Sequence, residues 1–200
     1  MTELILATKN LDKIIEIKSV LDNLNFKVLT FRDFENFPET KEDKKTLEGN
    51  AEKKAREIWK KFQIPALADD TGLFVDALDG APGVFSSRFA GENVTYKQNR
   101  EKLLRLMKNI PLQKRDAIFR TIIVFISQSG EKFSVKGECK GYIGFEEKGK
   151  NGFGYDKIFY VKNLDKTFAE LTITEKNKIS HRGIALKNIN KILKKFNKNF

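Results

Sequence analysis

The chain has 200 residues, enough for one compact domain or for two small lobes, and its 40% hydrophobic and 32% charged content excludes a disordered or fibrous protein. A single cysteine, Cys139, rules out an intrachain disulfide and fits a reducing compartment. The formal charge of +11 asks for a polyanionic partner: nucleic acid, nucleotides or an anionic surface.

The opening segment TELILA has no basic leader before it and reads as a first strand, not a signal peptide. No apolar run approaches the roughly 18 residues of a membrane span, so a soluble, cytoplasmic protein with no membrane partner is expected. A polar loop, TKNLDK, follows, and then a helix to about Asn23; FKVLT is a second strand and residues 31–45 a polar loop. Leu47, Ala51, Ala55, Ile58, Trp59 and Phe62 recur at helical spacing and predict a helix from Thr46 to Phe62. IPALA and GLFVDAL read as two strands separated by an Asp69-Asp70-Thr71 corner, and DGAPG as a turn. A helix over Tyr96–Asn109 would bury Leu103, Leu106, Met107 and Ile110. AIFRTIIVFIS and EKFSVKGECKGYIG form a long hairpin about Gln-Ser-Gly. A Gly-rich loop, KGKNGFGYDKIFY, leads to another strand. The last helix starts near Ser180, with Ala185, Ile189, Ile192, Leu193 and Phe196 as its buried stripe. Alternating strands and helices followed by hairpins predict an α/β fold with a mixed sheet, residues 1–200 forming one domain.

Five segments carry candidate chemistry. Ala7–Lys13 joins a strand to a helix, where backbone N–H groups, Thr8, Asn10 and Lys13 suit an anion; an ordinary N-cap at Asn10 or Asp12 explains it equally. Asn50 and Lys54 lie one turn apart at the edge of an apolar helical stripe, with Glu42 upstream as an oxygen donor. Asp69 and Asp70 at an apolar strand end repel each other unless a cation such as Mg²⁺ joins them or the pair caps a turn. Phe153 and Tyr155 alternate with glycines ahead of Asp156, suiting a flat ligand or two core aromatics. His181, the only histidine, and Arg182 open the last helix, where cations oppose the helix dipole.

Taken together, LATKNLDKIIEI, ETKEDKKTLEGNAEKKA, ADDTGLFVDALDGAPGVFSSRFAG, GFGYDKIF and TFAELTITEKNKISHRGIAL resemble the inosine/xanthosine triphosphate pyrophosphatases, in order and over nearly the whole chain. The resemblance implies a mixed elongated β-sheet with flanking helices, two lobes around a nucleotide-binding cleft, and a homodimer. It implies Mg²⁺-dependent hydrolysis of ITP, dITP or XTP to the monophosphate and pyrophosphate. By motif, Thr8, Lys9, Asn10, Leu11, Asp12 and Lys13 would bind the triphosphate with Lys54. Asp70 would be catalytic and hold the metal with Glu42, and Thr71 would touch substrate. Phe153, Gly154, Tyr155, Asp156, Lys176, His181 and Arg182 would hold base and sugar. His181 and Arg182 as donors to a 6-keto group would disfavour adenine, which leaves donors unpaired at about 1–3 kcal/mol each.

This chain departs from the family at Lys9, where glycine is usual, and at Thr71, where serine is usual. It also departs in the EDK after Thr40-Lys41, where ETG is common, and at Lys157 in place of proline. The competing readings are a Maf-like nucleotide pyrophosphatase and a basic nucleic-acid-binding protein. The latter predicts affinity falling steeply with salt and no need for Asp70; nucleic acid is not the expected partner.

Overall fold

The apolar run at the N-terminus becomes β1 (Thr2–Leu6) in the computed structural model, which describes residues 2–21 and 24–196. It pairs in parallel with β2 (Phe26–Leu29) on one side and β3 (Ala66–Val75) on the other. Among the described residues the sheet has seven strands, in the order β2, β1, β3, β5 (Asp116–Ile126), β6 (Lys132–Ile143) and β7 (Phe159–Val161), with β4 (Pro82–Gly83) paired antiparallel to β3. β5 and β6 are the expected hairpin, turning where Ser127 N–H donates to Glu131 O and Gly130 N–H to Ser127 O. β7 adds antiparallel to β6, so the sheet is mixed, as expected. Among the described residues no helix is long and apolar enough to cross a membrane.

The chain packs as two compact units. The first is built from Met1–Asp70, Thr121–Gly137 and Arg182–Phe200, the second from Thr71–Arg120 and Glu138–His181. In the first unit β1 is buried on both faces, which is why it reads as a continuous apolar run. Leu4 and Leu6 pack with α1 (Leu11–Leu21) and α5 (His181–Phe196), while Ile5 points the other way onto Ala51, Ala55 and Ile58 of α2 (Leu47–Phe62). α2 starts where expected, because the Thr46 hydroxyl accepts the Gly49 N–H at 3.0 Å. α1 starts at Leu11, inside the segment read as loop, because Asn10 Oδ1 accepts the Lys13 N–H at 3.1 Å and caps the helix there. The expected end of this helix near Asn23 lies outside the described residues.

Three further points differ from expectation, two of them in the second unit. α3 (Tyr96–Leu106) buries Leu103 and Met107 with Ile110 against them, but Leu106 is 47% exposed, off the stripe. A short helix, α4 (Ile173–Ile179), precedes α5; its N-terminus is a capping box between Thr172 and Glu175. Asp69-Asp70-Thr71 is no corner either: β3 runs through all three residues without a break.

The second unit's core centres on Leu73, Val75, Leu103, Met107, Phe119, Phe159 and Phe168. Its most demanding element is Arg115, 1% exposed. Nε donates to Ile143 O at 2.6 Å, Nη1 to Met107 O at 2.6 Å and Ile110 O at 3.2 Å, and Nη2 to Gly144 O at 2.6 Å. Phe145 lies over the guanidinium, 4.3 Å from ring centroid to Cζ. One side chain thus ties the carbonyls after α3 to the end of β6. Arg115→Met should leave these carbonyls without their donor and cost about 3 kcal/mol or more in unfolding free energy, read from urea denaturation. Arg115→Lys should recover less than half of the loss, since an ammonium lacks the planar fork.

Candidate active site

β3 answers how two adjacent carboxylates tolerate each other. Successive side chains of a strand point to opposite faces. Leu67 packs with the α1/α5 cluster, whereas Ala66 and Ala68 pack with α2. Asp69 follows Leu67 and Asp70 follows Ala68, so the two carboxylates stand on different faces and meet different cations.

On the α1/α5 face, Asp69 is fully buried. Lys13 Nζ lies 3.1 Å from its Oδ1, and Arg182 donates to Oδ2 from Nη2 at 2.9 Å and from Nε at 3.2 Å. Arg182 Nη1 donates in turn to Glu16 Oε2 at 2.5 Å. Burial alone would raise the Asp69 carboxyl, but Lys13 and Arg182 overcome it and hold the group far below the usual carboxylate range. Burial works against the Arg182 cation too, and Asp69 and Glu16 more than offset it. For Lys13 the balance falls the other way: burial, with Lys54 and Arg182 nearby, outweighs the attraction of Asp69 and lowers its ammonium.

On the α2 face, Lys54 Nζ donates to Glu42 Oε1 at 2.6 Å and to Asp70 Oδ1 at 3.1 Å. Asn50, also buried, donates from Nδ2 to Asp70 Oδ2 at 3.2 Å while its Oδ1 accepts the Lys44 N–H at 2.9 Å. Lys54 is therefore no snorkelling surface lysine but a buried cation shared by two carboxylates. Burial, seconded by the like charge of Glu42, raises the Asp70 carboxyl despite Lys54. Asp70 is thus a carboxylate of raised basicity, buried but within reach of Glu42, Lys54 and Asn50. Such a group can accept a proton from a water, and the Glu42–Asp70 pair offers hard oxygen donors to a divalent cation.

The N-terminal loop is less converged. Thr8 Oγ1 accepts the Asn10 N–H at 3.2 Å, Lys9 is exposed with Glu39 3.7 Å away, and Leu11 is exposed at the start of α1. Asp12 lies in the first turn of α1, and Lys13 reaches the buried Asp69.

In the second unit Thr71 sits half-buried in β3. The aromatic loop is held by Asp156, whose Oδ2 accepts the Phe153 N–H at 2.8 Å and the Lys176 ammonium at 2.5 Å. Lys176 lies 5.0 Å from the Phe153 ring centroid, and the Tyr155 hydroxyl donates to Ser86 O at 2.9 Å. His181 stacks flat on Phe119, centroids 4.5 Å apart. Phe153, Gly154, Tyr155, Asp156, Lys176 and His181 thus belong to one unit. Arg182, expected among them, makes its contacts with Asp69 and Glu16 in the other. Ser86 serves the fold, its hydroxyl joining the Leu73 N–H and the Gly83 carbonyl.

Sequence reasoning passed over Glu16, and it weighed Asn50 without choosing it. The signal for Glu16 was a lone acid in the apolar run of α1, one turn after Lys13. The ion network predicts that Asp69→Asn, which leaves Lys13 and Arg182 undercompensated, costs about 3–5 kcal/mol in denaturant unfolding at neutral pH. A carboxyl whose folded-state pKa is depressed stabilises above its unfolded value of about 3.9 and loses that contribution as pH falls. The gap between wild type and variant should therefore stay constant down to about pH 5 and narrow below about pH 4. A gap that widened on acidification would contradict the pairing.

Residues 4–192 match the model of the Ham1 family. The chain is 47% identical to the dITP/XTP pyrophosphatase of Geobacter sulfurreducens, over 93% of this chain and 94% of that protein. It is also 47% identical to the dITP/XTP pyrophosphatase of Halalkalibacterium halodurans, over 96% of this chain and the whole of the other. Among solved structures, a HAM1 protein from Coxiella burnetii superposes with a TM-score of 0.88 at 40% identity, covering 98% of this chain and 100% of that one. The Staphylococcus aureus Ham1 protein superposes with a TM-score of 0.85 at 36% identity, covering 96% and 98%. A family match across almost the entire described chain, with the buried carboxylates and lysines at its centre, makes this protein a member of the Ham1 family.

Proposed function

We propose that this protein hydrolyses non-standard purine nucleoside triphosphates, ITP, dITP and XTP, to the nucleoside monophosphate and pyrophosphate. The observation that carries the reading is the gathering of Glu42 and Asp70 on the single ammonium of Lys54, in a chain whose relatives are named dITP/XTP pyrophosphatases. A Maf-like activity or nucleic-acid binding has no comparable support.

Among the described residues no group of three or more His, Cys, Asp or Glu side chains forms a metal cage. Mg²⁺ needs none, since it takes one or two carboxylates and fills its remaining positions with water and substrate phosphates. Glu42 and Asp70 fit that demand: both are hard oxygen donors already turned toward one positive charge. When bound, Mg²⁺ supplies charge relief on the phosphates and fixes their orientation.

The rest falls to the chain's own groups. Asp70 orients a water and takes its proton as the oxygen attacks the α-phosphorus; the bond from that phosphorus to the bridging oxygen breaks and pyrophosphate leaves. Asn50 keeps Asp70 in its rotamer, and Lys54 and Lys13 offset charge on the phosphates. Thr8, Asn10 and the N-terminus of α1 offer further donors. Phe153 supplies a face for the purine, with Asp156, Lys176 and His181 about it. Arg182 is also the counter-ion of Asp69 and Glu16, and in this reading His181 and Arg182, with Lys176, supply the donors that favour a 6-keto edge. The same reading carries a cytoplasmic homodimer, which sedimentation velocity should find at micromolar concentration.

The deciding measurement incubates the protein with Mg²⁺ and ITP, XTP, GTP, ATP or dTTP and assays pyrophosphate and orthophosphate separately. ITP and XTP should give pyrophosphate, the others little, and chelation with EDTA should abolish turnover. Asp70→Asn should lower kcat by about 100-fold or more. Orthophosphate as the product, or a fully active Asp70→Asn, would sink the assignment.

A further inference from the structure

The loop that carries Phe153 has little intrinsic preference for its shape. Gly152 and Gly154 both lie at positive φ, 71° and 59°, where glycine alone is unstrained. A side chain at Gly152 would also run into the Asp156 carboxylate. Anchors outside the loop must therefore decide its conformation. Asp156 fixes its end and the Tyr155 hydroxyl its side. The peptide between them is fixed from α3: Arg100 Nη1 donates to the Gly154 carbonyl at 2.8 Å.

Arg100 is buried, 7% exposed, and its other donors are committed. Nε and Nη2 donate to the two oxygens of Glu147 at 2.7 and 3.2 Å, a bidentate fork that leaves Nη1 a single direction. One turn earlier on the same helix, the Tyr96 ring lies 5.8 Å from Phe153. One face of α3 thus touches both the backbone of the loop and its half-buried ring. None of the chemistry at Asp70 uses Arg100 or Glu147.

We propose that Arg100, aimed by Glu147, is a positioning residue for base recognition: by holding the Gly154 carbonyl it sets the pose of the Phe153 ring against the purine. The inference rests on the reading that this loop receives the base. A merely structural ion pair would predict something different. Its loss would lower the melting temperature and reduce kcat for every substrate by one factor, with KM and base preference untouched.

The test compares full-length wild type, Arg100→Lys, Arg100→Met and Glu147→Gln by steady-state kinetics on ITP, XTP and GTP, with melting curves alongside. Losing the single hydrogen bond to Gly154 should raise KM for ITP about five- to tenfold in both Arg100 variants, with kcat held within about twofold. The ratio of kcat/KM for ITP over GTP should fall in parallel. Arg100→Lys keeps the charge but not the fork, so it should behave like Arg100→Met, and Glu147→Gln should fall between them and wild type. If Arg100→Met fails to fold, the lysine and glutamine variants give the answer. Folded variants with unchanged KM and unchanged ITP/GTP preference, or with kcat reduced equally for all three nucleotides, would overturn the role of Arg100. A wild type inert toward ITP and XTP would instead remove the pyrophosphatase reading and this inference with it.

Discussion

Two carboxylates side by side in a buried strand are tolerable only if they do not share a face, and the first unit is organised around that constraint. The pleat of β3 sends Asp69 toward α1 and α5 and Asp70 toward α2. Each must then find positive charge on the helix that covers it, because an uncompensated buried carboxylate costs far more than the packing around it returns. Lys13 on α1 and Arg182 on α5 answer Asp69, and Lys54 on α2 answers Asp70. Three helices are thereby keyed to two consecutive residues of one strand, on top of the apolar contacts that hold them to the sheet.

The two faces end in opposite electrostatic states, and that difference is what chemistry can use. Asp69 is overcompensated and locked as an anion far below its ordinary range, which makes it a fixed structural charge. Asp70 shares its cation with Glu42 and is raised instead. Environments that push neighbouring carboxyls apart are how one site separates a structural charge from a proton acceptor. A pair with matched environments would leave both half-committed. Asn50 adds a neutral donor to Asp70, which orients the carboxylate without cancelling its basicity.

Much of this was legible in the residues. The apolar spacing of α2 placed Asn50 and Lys54 correctly at the edge of the core, and the apolar run of β1 announced a first strand. The Asp-Asp pair marked itself as costly. What could not be read was how the cost is met, because Lys13 lies 56 residues before Asp69 and Arg182 113 after it. Without those partners two acids after an apolar run look like a turn, and β3 was accordingly split in two. The ion pairs of Arg182 were hidden for the same reason: next to His181 it reads as a base contact, and its carboxylate partners on β3 and α1 are distant in the sequence. α4 was missed although Thr172 and Glu175 already spelled its capping box; a helix of seven residues offers too short a periodic stripe to notice. Arg100 and Glu147 left no local signal at all, being 47 residues apart.

The balance of charge at the first unit's site separates encounter from chemistry. Lys13, Lys54 and Arg182 face Glu16, Glu42, Asp69 and Asp70, three cations against four carboxylates, so this cluster is net negative in a chain that carries +11 overall. The positive excess lies elsewhere, largely on exposed lysines, and acts on an anion at long range, where ions in solution screen it over about 8 Å at physiological strength. Close to Asp70 the sign reverses, and a polyphosphate arriving alone would meet two carboxylates that share the Lys54 ammonium. In the proposed reaction, Glu42 and Asp70 would hold a divalent cation brought with the phosphates, and that charge would relieve the repulsion. The surface charge would then govern how often substrate arrives, and the Glu42–Asp70 pair what form it must arrive in.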